Sequence, residues 1–343
     1  MTESIVKPQV AAFEVTGRCP LKCRHCRAAA VADGGDPLDT QACKNILKGL
    51  AEYTRCVLIF TGGEPMMRDD IFELVAYSRS LGLRPVMATC GDRLDREAMV
   101  RLKEAGLLSF SFSLDGPDAA AHDAFRQSSG AFALVMNAVG LAKSLDIRFQ
   151  INTTLTRLNA RSIDAIAELA ISLGAACWNP FVLVPVGRGE AIRELLFEPL
   201  EYEDVLERLA ILKGTLPIDL RVTCGPQFAR MARQKKVPGA DKVPGCLAAT
   251  EFVFISRTGD IQTCGFLEQS AGNLVAEGFD FGRIWEQSPL LCGLRDHSKY
   301  EGACGSCGYL DVCRGCRARA LSVRGGVFAE DPICRLTHRK DGR

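Results

Sequence analysis

From residue 10 to residue 222, short apolar runs alternate with longer stretches in which apolar positions recur every three or four residues. The runs Ala11–Val15, Val57–Thr61, Pro85–Thr89, Ser109–Leu114, Arg148–Thr154, Trp178–Val184 and Ile218–Val222 predict strands. Between them, Thr40–Ala51, Ile71–Leu81, Arg96–Ala105, Phe132–Ser144, Ser162–Leu173 and Tyr202–Leu212 carry the helical period and predict helices. A chain that repeats strand then helix buries both faces of a parallel sheet. About six such units predict an α/β fold, a partial (β/α)6 barrel of the TIM type. Functional groups then belong on the loops that follow the strands, at the barrel mouth.

From about Cys224 the pattern breaks. Gly, Pro and Cys dominate, with strand-like pieces at Glu251–Ile255 and Asp260–Gln262 and few convincing helices. Such a stretch buries little apolar surface per residue, so metal or cluster bonds are expected to supply its folding energy. The expected division is a barrel over 10–222 and a cluster-binding extension over 223–335, with a frayed basic tail from Arg335 to Arg343.

Composition narrows the function classes. The 343 residues are 47% hydrophobic, enough for a sizeable core, and the formal charge is +1. That charge removes any global electrostatic case for nucleic acid or an anionic membrane. No apolar run is long enough to span a bilayer, and Met1 to Gln9 lacks a signal-peptide core, so a cytoplasmic protein is expected. The anomaly is 16 Cys beside four His. Disulfide-dense chains are usually short and exported, so metal or cluster ligation is the better expectation here.

Directly after the first strand stand Cys19, Cys23 and Cys26. Three thiolates on a tight loop can hold three irons of a four-iron cluster and leave the fourth open, whereas a structural zinc wants four ligands. Zinc, or simply reduced thiols, stays the alternative on spacing alone. The spacing matches the signature of the radical S-adenosylmethionine (SAM) superfamily, with His25 at its usually aromatic position. In that superfamily the open iron chelates SAM, and reduction cleaves it to a 5′-deoxyadenosyl radical that takes hydrogen from the substrate. Thr61-Gly62-Gly63-Glu64-Pro65 taken alone reads as an ordinary structural turn, but it resembles the family's GGEP element, which implies that Gly62 and Gly63 let the backbone approach SAM and that Glu64 accepts from its ammonium. The resemblance also implies SAM contacts from Ser113 and Asp115 after the fourth strand, from Asn152 and Thr153 at the end of the fifth, and from Arg126. A solvated helix arginine is the alternative for the last.

Cys304-Gly-Ser-Cys307 and Cys313-Arg-Gly-Cys316 are followed by Cys334, with Cys224, Cys246 and Cys264 upstream. A zinc ribbon is one reading of paired Cys-x-x-Cys units. The order is also similar to the SPASM extension of radical SAM enzymes, which holds auxiliary four-iron clusters. Carried over by order, Cys224, Cys246, Cys264 and Cys316 would enclose one cluster, and Cys304, Cys307, Cys313 and Cys334 another. The last spacing is two residues where many SPASM proteins have three, so the partition, and one cluster or two, stays open. Cys43, Cys56, Cys90, Cys177 and Cys292 are expected to be buried small hydrophobes, with Cys90 singled out by its place at the third strand's mouth.

The runs Cys26-Arg27-Ala28-Ala29-Ala30, Phe181 to Gly189 and Cys313 to Ala320 resemble the radical SAM decarboxylases of the siroheme-dependent haem pathway. Within that family the likeness is to the haem synthases, which turn two propionates of iron-coproporphyrin III into vinyls. The resemblance implies SAM, the radical cluster, auxiliary clusters and ferredoxin- or flavodoxin-like electron partners. A tetracarboxylate porphyrin needs cationic clamps, for which Arg188, Arg317 and Arg319 are the candidates. His25, one of four histidines, is expected to pack beside SAM, with ligation of the substrate iron as the alternative. The competing readings are an earlier decarboxylase acting on didecarboxysiroheme, a SPASM maturase of peptides, and a non-enzymatic scaffold. The first strand begins near residue 11, leaving no room before it for the recognition domain that many peptide maturases carry.

Overall fold

A computed structural model describes residues 5–338. The first six strands form within one or two residues of their predicted ends: β1 (Val10–Glu14), β2 (Val57–Thr61), β3 (Arg84–Thr89), β4 (Ser109–Ser113), β5 (Arg148–Leu155) and β6 (Cys177–Val182). They pair parallel in chain order, as the alternating pattern requires. The seventh, β7 (Asp219–Leu220), is cut to two residues, and Cys224 just beyond it turns the chain with a left-handed φ of 57°.

The predicted helices form as α1 (Thr40–Tyr53), α2 (Ile71–Ser80) and α3 (Arg96–Glu104). An unexpected α4 (Ala119–Arg126) precedes α5 (Ala131–Ser144), α6 (Ile163–Leu173) and α7 (Pro199–Thr215). Asp39, Asp95 and Asp118 cap α1, α3 and α4 by accepting from the backbone N–H three residues on, at 2.7–2.8 Å. The Asp118 cap was the one local sign of α4, whose alanine-rich sequence has too few large apolar residues to show a period. Phe13, Phe60, Phe110, Phe112 and Trp178 are fully buried in the core.

The Cys-rich third is more ordered than expected. Strand β8 (Phe252–Ile255) pairs parallel with β1 on the side away from β2, and β9 (Asp260–Gln262) and β10 (Gly272–Asn273) follow antiparallel. One sheet thus runs β10-β9-β8-β1-β2-β3-β4-β5-β6-β7, and the mouth end of β1 is flanked from both sides. Helices Phe228–Gln234, Phe281–Gln287, Pro289–Arg295 and Arg317–Arg324 also correct the expectation of few helices there. Two turns are too short to reveal a period. The tail forms a 3-10 turn over Arg335–His338, and the rest of it, residues 339–343, lies outside the described residues, as do 1–4. No helix among the described residues is long and apolar enough to cross a membrane. All 16 cysteines are unbridged.

Candidate cluster and cofactor site

The loop leaving β1 carries Cys19, Cys23 and Cys26 and is pinned by its neighbours. Cys19 N–H donates to Val31 at 2.9 Å, closing the loop on itself. The turn after β2 docks against it, with Gly63 N–H donating to Thr16 O at 2.8 Å and Glu64 N–H to Arg18 O at 2.7 Å. A side chain at Gly63 would put its Cβ 2.1 Å from Arg18 O, so this glycine serves close backbone packing against the cysteine loop. The loop after β6 docks from the other side. Arg188 N–H donates to Cys26 O at 2.9 Å, and its guanidinium to Cys23 O at 2.9 Å and Ala30 O at 2.7 Å. Gly187 has φ 56°, and a Cβ there would lie 2.2 Å from Arg27 O. Arg188, expected as a substrate clamp, spends these donors on the cysteine loop.

Beneath the loop lies a buried ion pair. Arg126 Nε and Nη2 both reach Asp115 Oδ2 at 2.7 Å, and Arg126 Nη1 lies 3.6 Å from Cys23 Sγ. Thr154 N–H donates to the other Asp115 oxygen at 2.7 Å. Burial would raise the Asp115 carboxyl, but chiefly Arg126 outweighs it and holds the group ionised below its usual pKa. The solvated-arginine alternative for Arg126 is thereby overturned, since α4 delivers the side chain into the interior. His25 stacks on Phe125, rings 4.6 Å apart, and burial lowers its pKa to about 4, so the imidazole is neutral at pH 7.

Glu64 is fully buried and already engaged. Its carboxylate accepts from Thr89 Oγ1 at 2.8 Å, Cys90 N–H at 2.8 Å and Met66 N–H at 3.2 Å. It therefore ties the turn after β2 to the mouth of β3, a role its resemblance-based assignment did not include. Cys90 hydrogen-bonds Cys19, which lowers the Cys19 thiol from its usual pKa. Ser113 and Asn152 stand side by side in register at the mouth ends of β4 and β5, while Thr153 is buried against Leu114 O and the Trp178 indole. Of the five remaining thiols, Cys43, Cys56, Cys90 and Cys177 are buried as expected. Cys292 is exposed, because its helix Pro289–Arg295 turns that face outward.

The eight C-terminal cysteines fall into two groups. Burial raises the thiols of Cys224, Cys264 and Cys316, and each also feels the sulfurs of its neighbours, Cys246 included. Val184, Val186 and Leu267 pack around this group, placing it beside the loop after β6. Cys304, Cys307, Cys313 and Cys334 line one cleft. The grouping is the one carried over by order, with Cys313 and Cys316 of a single Cys-x-x-Cys unit going to different sets. Tyr309 N–H points at Cys307 Sγ (3.4 Å) and Gly315 N–H at Cys313 Sγ (3.5 Å), the backbone donation that cluster thiolates receive.

Arg317 and Arg319, expected to face substrate or solvent, are 2% and 0% exposed. Arg319 pairs with both oxygens of Asp331 at 2.9 and 2.8 Å and donates to Cys224 O and Leu183 O. Asp331 in turn accepts from Cys316 N–H and Gln227. Such full internal engagement leaves neither arginine a donor for a porphyrin carboxylate. Asp331 and Gln227 carried no sequence signal, because their partners are set by tertiary packing. Glu14 at the end of β1, paired with Arg27 at 3.5 Å and Arg257 at 3.6 Å, was likewise missed.

The site fits a polar cofactor beside the three thiols, since His25 Nδ1 and Arg188 Nη2 are buried there without a hydrogen-bond partner. Among the described residues, no three His, Cys, Asp or Glu side chains are grouped so as to hold a metal ion.

The Radical SAM superfamily model matches residues 13–170. The AdoMet-dependent heme synthase of Nitratidesulfovibrio vulgaris is 40% identical over 96% of this chain and 92% of its own. The Fe-coproporphyrin III synthase of Methanosarcina barkeri is 32% identical over 98% of this chain and 90% of its own. The crystal structure of Streptococcus suis SuiB bound to S-adenosylmethionine shares the fold, with a TM-score of 0.75 at 18% identity over 96% of this chain and 78% of that one.

Proposed function

The chain belongs to the radical SAM superfamily, and we propose that it makes haem b from iron-coproporphyrin III, each of two propionates losing a hydrogen atom, carbon dioxide and one electron to become a vinyl. The observation that carries this reading is the end-to-end likeness to an AdoMet-dependent heme synthase. Cys19, Cys23 and Cys26 would hold the radical-forming four-iron cluster, with SAM on its open iron. Bound there, that pair supplies a carbon radical strong enough to take an unactivated hydrogen.

The protein's own share is positioning. The loops after β2 and β6 fix the three cysteines; burial raises the Cys23 thiol, and Arg126 lays a cation beside its sulfur that offsets part of this. Neutral His25 stacks on Phe125, and its buried, unpartnered Nδ1 would be available to a polar cofactor. Ser113 and Asn152, in register on the paired strands β4 and β5, would line the SAM side of the mouth, and Gly62 lets the turn after β2 pack against Thr16. Arg188 keeps one unpartnered donor, Nη2, and remains the candidate for a propionate or the SAM carboxylate. The eight C-terminal thiols would hold two closed auxiliary clusters, which supply a place for the released electron on its way to a ferredoxin- or flavodoxin-like carrier.

The likeness to an Fe-coproporphyrin III synthase supports a second reading, the preceding decarboxylation of acetate groups on didecarboxysiroheme. Release of 5′-deoxyadenosine separates the two. It is expected to rise when iron-coproporphyrin III is added anaerobically to reduced protein and SAM, and not when didecarboxysiroheme is added. The reverse pattern overturns the proposal.

A further inference from the structure

Two arginines follow Cys316, and their surroundings differ. The Arg319 cation is neutralised by Asp331, both carboxylate oxygens in contact. Arg317 has no such counter-ion. Its donors go to the carbonyls of Ala329 at 2.6 Å, Val327 at 3.1 Å and Gly315 at 3.5 Å, its guanidinium lies 4.7 Å from the Tyr300 ring centre, and Nη2 points at Cys304 Sγ at 3.7 Å. Asp331 is near, but its oxygens are taken by Arg319, Gln227 and the Cys316 N–H. A buried guanidinium without a counter-charge is costly, and the one sulfur it touches belongs to the outer set of thiols.

We propose that Arg317 is the charge partner of the Cys304, Cys307, Cys313 and Cys334 set, and that it makes this set the stronger electron acceptor of the two. The inference rests on the reading that both sets hold clusters. A closed four-iron, four-thiolate cluster is an anion in either state, and reduction adds one more negative charge. A cation hydrogen-bonded to one of its sulfurs favours the reduced form, while the Arg319–Asp331 pair, neutral as a unit, does so far less for the other set. The layout agrees with the direction implied. The Cys224, Cys246, Cys264 and Cys316 set packs against the barrel loop at Val184 and Val186, and the Cys304 set opens to a surface cleft. The electron given up as a propionate loses carbon dioxide would come to rest on the outer cluster, to be removed by a one-electron carrier of the flavin or iron–sulfur class.

The test is a redox titration followed by electron paramagnetic resonance on the full-length protein, reconstituted anaerobically, with iron and sulfide counted on the same samples. The wild type is expected to hold about twelve iron per chain, three four-iron clusters. About four would remove the underlying reading before any arginine variant is tested. In Arg317→Gln, the reduced-to-oxidised ratio of one auxiliary signal at fixed potential should fall at least tenfold, a downward shift of about 59 mV for a one-electron couple, with the other signals unmoved. The shifted signal should be the one missing in Cys307→Ala, and Arg317→Lys should titrate close to wild type. An unmoved midpoint in Arg317→Gln, a shifted signal that survives Cys307→Ala, or a lysine variant displaced as far as the glutamine one each overturns the proposal. Should Arg317→Gln lose one cluster's iron, Arg317→Lys decides: restored iron and midpoint support the charge role, and equal loss contradicts it.

Discussion

Asp115 shows how much of the site is decided by single buried groups. Its carboxylate holds Arg126, whose other donor reaches the Cys23 sulfur, so the acid acts on the cluster loop through the arginine. Asp115→Asn would leave a buried guanidinium unpaired. It is expected to cost about 3–5 kcal/mol in stability, read as a lower urea midpoint under anaerobic conditions. Cys23→Ala should abolish 5′-deoxyadenosine release while Cys307→Ala leaves it detectable, since the two thiols belong to separate sets; loss in neither variant would undo the assignment of roles. The three loop cysteines were legible in the sequence because their partners lie within eight positions of one another. The work of Glu64, Arg317 and Arg319 was not, because each is defined by groups from distant segments: Thr89 and Cys90 for the first, Val327 to Asp331 for the others. Residue type announced charge, and only packing showed that the charge points inward.

At the level of elements, strands and helices of the barrel could be read to within two residues, or three for α7, because their apolar periods are long. Helix α4 and the short helices beyond Cys224 could not, since one or two turns carry no period. Yet α4 places both Arg126 and His122. The His122 Nδ1 accepts the Asp115 N–H at 3.1 Å, and burial lowers its pKa to about 4 from an ordinary 6.5. The fold binds the neutral ring, so the stability it contributes is present above about pH 6.5 and is lost as the pH falls toward 4. By pH 5 the loss is about 2 kcal/mol. His25, lowered to a similar value, adds to the same window. Urea midpoints between pH 6.5 and 5 should therefore fall, and His122→Gln should flatten the slope by about half. The β6 loop makes a sharper test of element packing. Gly187→Ala adds a Cβ 2.2 Å from Arg27 O at a left-handed φ, and is expected to cost most of the iron that Cys19, Cys23 and Cys26 would hold. Iron counts equal to wild type would show that this loop does not shape the cysteine loop.

The whole molecule joins two kinds of thiol site through one sheet. Strand β8 of the Cys-rich third pairs with β1, whose following loop carries the first three cysteines, so the two parts share a frame. That join was hidden in the sequence, where the composition change at Cys224 suggested separate pieces; parallel pairing across more than 230 residues leaves no local trace. The arrangement suits a reaction that needs a radical at the barrel mouth and a separate resting place for an electron. Its most direct test is anaerobic turnover of the fully reconstituted protein with SAM, a strong reductant and iron-coproporphyrin III, read by mass spectrometry of the porphyrin. The account predicts stepwise loss of carbon dioxide and hydrogen from two propionates, ending in haem b. Steady 5′-deoxyadenosine release with the porphyrin mass unchanged would contradict it.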